Sequence, residues 1–192
     1  MIRETIITTL NENNSVHIAP MGVRKVDGMI VIAPFKPSTT LENLKRSRQA
    51  VINFTDDVRI FAGCLTGRYV WPTVPASVIT GQRLENPLSH VELEVRNFED
   101  DELRPRFFCE IIHQETHRPF MGFNRAKYAV LELAILVSRL HMLPPEKIDA
   151  EIKYLEIAID KTAGDEEREA WGWLMNKITE FRRQQAPVEN LV

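Results

Sequence analysis

The chain has 192 residues, a net charge of −3, 44% apolar and 27% charged residues; it is long enough to bury a core without staples, and its balance is that of a globular protein. That charge gives no sign of bulk attraction to nucleic acid or an anionic membrane surface, though it leaves room for a local basic patch, and no apolar stretch approaches the ~20 residues of a membrane span. Cys64 and Cys109 form neither a disulfide framework nor a CxxC zinc pair, and Met1 leads straight into a strand-like run with no signal peptide, so a cytoplasmic protein is expected.

Short β-rich runs fill the first 60 positions. Ile2 to Leu10 reads as a strand, Asn11 to Ser15 as a turn, and His17 to Val23 as the returning strand of a hairpin. Val26-Asp27-Gly28 makes another turn, and Met29 to Ala33 a third strand. Such a meander closes as a barrel or packs on a second sheet. Pro34 and Pro37 end it, and the capping-box spacing of Thr39 and Glu42 predicts a helix running to about Ser47. Ala50 to Phe54 is a further strand, and Asp56-Asp57 caps a helix over Val58 to Leu65. Residues 66–88, rich in Gly and Pro, predict an excursion packed on the barrel.

His90 to Phe98 alternates, with Val91, Leu93 and Val95 on one side and Glu92, Glu94 and Arg96 on the other. This predicts a half-solvated antiparallel strand whose partner is Arg106 to His113. From Lys127 to Leu140 the spacing becomes helical. Pro145 opens a new helix carrying Ile148, Ile152, Leu155 and Ile159; Gly164 stops it; Trp171, Leu174, Ile178 and Phe181 mark the last helix. Residues 146–183 therefore read as an antiparallel helical hairpin with a loose tail after Gln184. The expected organisation is a barrel domain over 1–142 and a helical hairpin with its tail over 143–192.

Three segments could carry chemistry. The first helix start offers unpaired N–H groups, the hydroxyls of Ser38, Thr39 and Thr40, and Lys36 just before them. That combination suits a phosphate, while an ordinary cap between Thr39 and Glu42 explains the same residues. In His17 to Val23, Pro20 and Gly22 break a regular strand, which marks either a bulge or the close approach of a ligand. Asn124 is an N-cap, and Arg125 and Lys127 place cations where the helix dipole disfavours them. Those cations await an anionic partner, or form a solvated basic pair. His113 and His117 have the i, i+4 spacing of helical metal ligands, but four residues of strand span about 13 Å, so no metal site is expected. No GxSxG, P-loop or GxGxxG occurs.

The ordered set Arg3-Glu4-Thr5-Ile6, His17 to Val23, Pro34-Phe35, Ser38-Thr39-Thr40, Asn43-Leu44, Val51 to Asp57, Phe61-Ala62 and Gly122 to Lys127 resembles an uncharacterised family of FMN-binding split-barrel proteins. These are relatives of the flavin reductases and the pyridoxamine-phosphate-oxidase-like barrels, and the resemblance spans roughly residues 1–183. It implies a six-stranded antiparallel split barrel of the α+β class that dimerises with FMN between protomers. The matching phosphate positions are Ser38, Thr39 and Thr40, with Lys36 or Arg125 as cation. The ring positions are Ala19, Pro20, Met21, Gly22 and Val23, and Asn53, Asn124 and Arg125 are further contacts. The resemblance implies an oxidoreductase in which flavin carries the hydride chemistry, with NAD(P)H bound transiently and a pterin-like small molecule as an analogy-based substrate. The competing functions are a non-catalytic carrier of FMN or heme, and an interaction protein that docks through its helical hairpin.

Overall fold

The structure, a computed structural model, describes residues 1–185; the tail expected to be loose after Gln184 lies, but for Gln185, outside them. Local turn chemistry sets the first hairpins. β1 (Ile2–Leu10) and β2 (Val16–Val26) are joined where Asn13 accepts from the Ser15 N–H and hydroxyl and Asn14 adopts φ 61°. β2 returns as β3 (Met29–Ile32) over Asp27 and Gly28, at φ 49° and 84°, the left-handed pair that suits a two-residue hairpin. Then follow α1 (Thr39–Ser47), β4 (Gln49–Phe54), α2 (Val58–Leu65), a small pair β5 (Thr73–Pro75) and β6 (Gln82–Leu84), and the long strands β7 (Ser89–Glu99) and β8 (Arg106–Thr116).

Six strands close an antiparallel barrel in the order β1-β2-β3-β8-β7-β4, as the resemblance implied. Its core holds Ile7, Ile32, Ile52, Leu93 and Phe107, each at most 1% exposed, together with Leu41 and Leu44 of α1. Each such side chain contributes about 1.5–3 kcal/mol by leaving water. The α1 cap differs from the expected box. Ser38 is the N-cap and accepts from Leu41 N–H at 3.3 Å, because Thr39 already has helical backbone. Leu41, the residue three after that cap, has no side-chain acceptor to answer it.

By compactness the described chain forms two units, residues 1–56 with 69–121, and 57–68 with 122 onward. The second unit holds α2, α3 (Arg125–Val137), α4 (Pro145–Thr162) and α5 (Asp165–Gln185). α3 buries Ala126, Ala129, Val130, Leu133, Ala134, Leu136 and Val137, more than one face, as a central helix must. Its neighbours are α4 on one side and α2 and α5 on another. Instead of the expected hairpin packing, α4 lies mainly on α3, and α5 on α2 and α3, rather than on each other. Arg59 joins α2 to α5 by pairing with Asp57 at 2.8 Å and Glu166 at 2.9 Å. No helix among the described residues is long and apolar enough to cross a membrane.

Candidate functional site

The start of α1 and the first residues of β2 meet in the barrel unit. β3 pairs with β2 only as far as Val23, so Ala19, Pro20, Met21 and Gly22 have a strand neighbour, β1, on one side alone. Beside them, the His17 ring lies against the first turn of α1, with Nε2 3.1 Å from Thr40 Oγ1. Burial lowers the His17 pKa, which keeps that ring neutral near pH 7. Thr40 is buried and its hydroxyl is engaged; Thr39 is exposed. Among the described residues, the N–H groups of Thr39 and Thr40 have no acceptor. Two helix-start donors without an acceptor therefore lie in the same unit as a one-sided strand segment that begins two residues after His17, a fit to a group with an anionic end and a flat body.

The remaining predicted residues have other partners. Lys36, followed by a cis bond to Pro37, pairs with Asp100 at 3.3 Å on the surface. Gly22 makes room for β1: a Cβ there would come within 2.8 Å of Ile2 Cγ2. Asn53 is fully buried and fully bonded, its Nδ2 donating to Ile6 O at 3.2 Å and Thr8 Oγ1 at 3.3 Å, its Oδ1 accepting from Leu84 N–H at 2.8 Å. Asn124 caps α3 by accepting from the Ala126 and Lys127 N–H groups, and donates to Thr162 O. Arg125 is exposed and has no side-chain partner among the described residues. Both belong to the helical unit. A cavity of about 450 Å³ in that unit, lined by Leu140, His141, Ile148 and Phe181 among others, involves none of the predicted residues.

The reading of Glu92 as a solvent-facing residue is corrected. Glu92 is fully buried, and its carboxylate accepts from the Ser77, Val78 and Ile79 N–H groups at 2.5–2.8 Å and contacts His90 Nε2 at 3.1 Å. Burial alone would raise its pKa; the Ile79, Ser77 and Val78 N–H groups and the His90 bond outweigh that and hold it at about 2. Thr8 donates to Gln82 O in the same region. The polar outer face of β1, β4 and β7 is thus the bed on which residues 77–84 of the excursion lie. The alternation of β7 was read correctly for its inner face, but nothing local to that strand signals that a distant loop covers the outer one.

The sequence reading weighed His113 only with His117 and did not group it with Glu115, for a reason of register. Leu93 stands opposite Ile111 and Glu92 opposite His113, so β8 carries one extra residue, Ile112. Such a bulge reverses which side chains face inward. Phe107 and Cys109 point to the core, whereas His113 and Glu115 share the outer face with Glu92 and His90.

Both cysteine thiols are buried, and burial pushes Cys64 up to about 11 and Cys109 up to about 12. They stay protonated and supply no nucleophile.

Two family models match the chain: "Protein of unknown function (DUF447) N-terminal domain" over residues 3–118 and "Protein of unknown function (DUF447)" over residues 124–176. No curated protein matches significantly. Among solved structures, an FMN-bound DUF447 protein from Methanosarcina mazei superposes with a TM-score of 0.78 at 21% identity, covering 92% of this chain and 94% of that one. Flavoredoxin from Methanosarcina acetivorans gives 0.55 at 16% identity over 63% and 72% of the two chains. The 2-nitrobenzoate 2-nitroreductase of Pseudomonas fluorescens gives 0.51 at 21% identity over 59% and 64%. At these identities the likeness is one of fold.

Proposed function

The chain belongs to the DUF447 family, and from that premise we propose that it binds FMN, with the phosphate at the start of α1 and the ring along Ala19–Val23 of β2. The observation that carries this reading is the pair of acceptor-free N–H groups at Thr39 and Thr40, next to a strand segment flanked by β1 alone. The FMN-bound state of the Methanosarcina mazei protein supports the choice of ligand. In this reading the Thr39 hydroxyl and Lys36, freed from its solvent-exposed pair with Asp100, complete the anion's shell. Ser38 serves as cap, and His17 holds the first turn of α1 against β2 by its bond to Thr40.

The protein acts as a homodimer with FMN between protomers, as an oxidoreductase whose small-molecule partner is NAD(P)H or a pterin-like compound. Bound flavin supplies hydride transfer; the chain's own residues bind and orient it. None of the predicted site side chains needs to serve as a general base, in keeping with a neutral His17 committed to Thr40.

Thr39→Pro tests the placement. Proline is well suited to the first helical position, and the extended Ser38 backbone (φ −161°, ψ 152°) tolerates a following proline. The substitution keeps α1 and deletes one N–H together with the Thr39 hydroxyl. FMN affinity, read by fluorescence quenching, is expected to fall by at least about tenfold, since even one hydrogen bond to a charged group is worth about 1.5–3 kcal/mol. Unchanged affinity would move the phosphate elsewhere. Anaerobic mixing of the flavin-loaded protein with NADH or NADPH then separates enzyme from carrier: rapid bleaching is expected, and none with any plausible donor leaves a carrier.

A further inference from the structure

On the outer face of β7 and β8, three imidazoles and two carboxylates converge. The His90 ring, fully buried, lies 5.6 Å between centroids from His113 and 5.0 Å from His117, nearly parallel to the latter. His90 Nε2 is 3.1 Å from Glu92 Oε1, and His90 Nδ1 is 2.8 Å from His117 Nε2. Glu92 is fixed by the three loop N–H groups and offers only acceptors. It therefore takes the His90 proton bond at Nε2 and leaves Nδ1 as a lone pair, which faces His117 Nε2 in the metal-free chain. This is how a carboxylate sets the tautomer of a metal-binding histidine from outside the ligand set. His113 Nε2 is buried and has no hydrogen-bond partner among the described residues, and Glu115 Oε2 lies 3.7 Å from it. One ligand atom each from His90, His113 and Glu115 lie within 4.8 Å of one another. The donors of a tetrahedral ion with bonds of 2.0–2.2 Å stand about 3.4 Å apart, so small side-chain rotations close the set.

We propose that His90, His113 and Glu115 bind a divalent transition-metal ion of the zinc type, with Glu92 as the positioning carboxylate behind His90. Two imidazoles and one carboxylate suit zinc and its neighbours, and disfavour calcium or magnesium, which take all-oxygen shells. His117 borders the site, with Nδ1 3.9 Å from Glu115 Oε1, and yields its contact with His90 Nδ1 when the ion enters. The His113–Glu115 arm exists only because the bulge at Ile112 turns both residues outward. The ion would pin the end of β8 to β7, beside the loop that Glu92 already anchors.

The test uses the full chain, tag-free and stripped of metal with a chelator, titrated with Zn²⁺ and in parallel with Co²⁺. One equivalent per chain at submicromolar affinity is expected, with the intense visible bands of tetrahedral cobalt. His113→Asn and Glu115→Gln, both at partly exposed positions, are each expected to weaken binding at least about tenfold while thermal melting shows them folded. His141→Asn, outside the cluster, leaves binding unchanged. Absence of stoichiometric binding by the wild type, or equal affinity in wild type and His113→Asn, overturns the proposal. FMN affinity, measured alongside, is independent of either result.

Discussion

Buried polar side chains decide the local structure at several points where residue type alone says little. Glu92 is the sharpest case. Its folded pKa of about 2 lies below the ordinary 4.5, so its ionised form adds stability that is complete above the unfolded value and disappears as pH falls toward 2. A displacement of that size corresponds to about 3 kcal/mol. Acid unfolding of metal-free protein, followed by far-UV circular dichroism, is expected to steepen between pH 4.5 and 2, and Glu92→Gln is expected to flatten that limb while lowering stability at neutral pH. An unaltered limb would mean that the loop amides do not stabilise the carboxylate. Asn53 makes the same point from the other side. The resemblance made it a ligand contact, yet in the fold it spends its amide on Ile6, Thr8 and Leu84. Neither role has a local signature, because, His90 apart, the partners of both residues lie 13 or more positions away in the chain.

Elements with local chemistry were legible. Asp57 caps α2 and Asn124 caps α3 where the sequence places them, α2 has the predicted bounds Val58–Leu65, and the chain turns at Asp27-Gly28 as expected. The cap of α1 shifted by one residue because Ser38 and Thr39 are chemically equivalent candidates, and only the backbone tells them apart. Ser38→Ala is accordingly expected to cost about 1 kcal/mol in urea unfolding, and Ser38→Gly only a few tenths. If alanine costs nothing, the 3.3 Å bond to Leu41 N–H contributes nothing. The strand-length error has a different origin. β8 runs on to Thr116 beyond the expected His113, because a bulge breaks the alternation from which a strand end is judged. The packing order of the helices also lay beyond the sequence, since stripes show which face is apolar but not which helix it meets.

At the scale of the molecule, the strands and the helices that follow them were readable from alternation and turns, and the closed six-stranded barrel from the family resemblance. The interleaving was not. α2 sits in sequence between β4 and β5, yet Val58 and Ala62 are buried in the helical cluster with Leu133, Leu155 and Leu174. A chain ended at Met121 would keep every barrel strand and strip α2 of those partners. Such a truncation is expected to expose Val58, Ala62 and Leu65 and to elute as aggregates in size-exclusion chromatography, even though the barrel's own strands are all present. A soluble monomer with native-like β signal would show that the barrel unit does not depend on the helices.

The stretch Ala19–Gly22, bordered by β1 alone, carries a final implication. Main-chain groups left open along a strand are adhesive, and proteins usually shield them with charge, proline or a covering element. Pro20 removes one donor, which blunts the edge without closing it. A flat molecule seated there would act as a shield as much as a reagent, so its loss should register first as self-association and only later as unfolding.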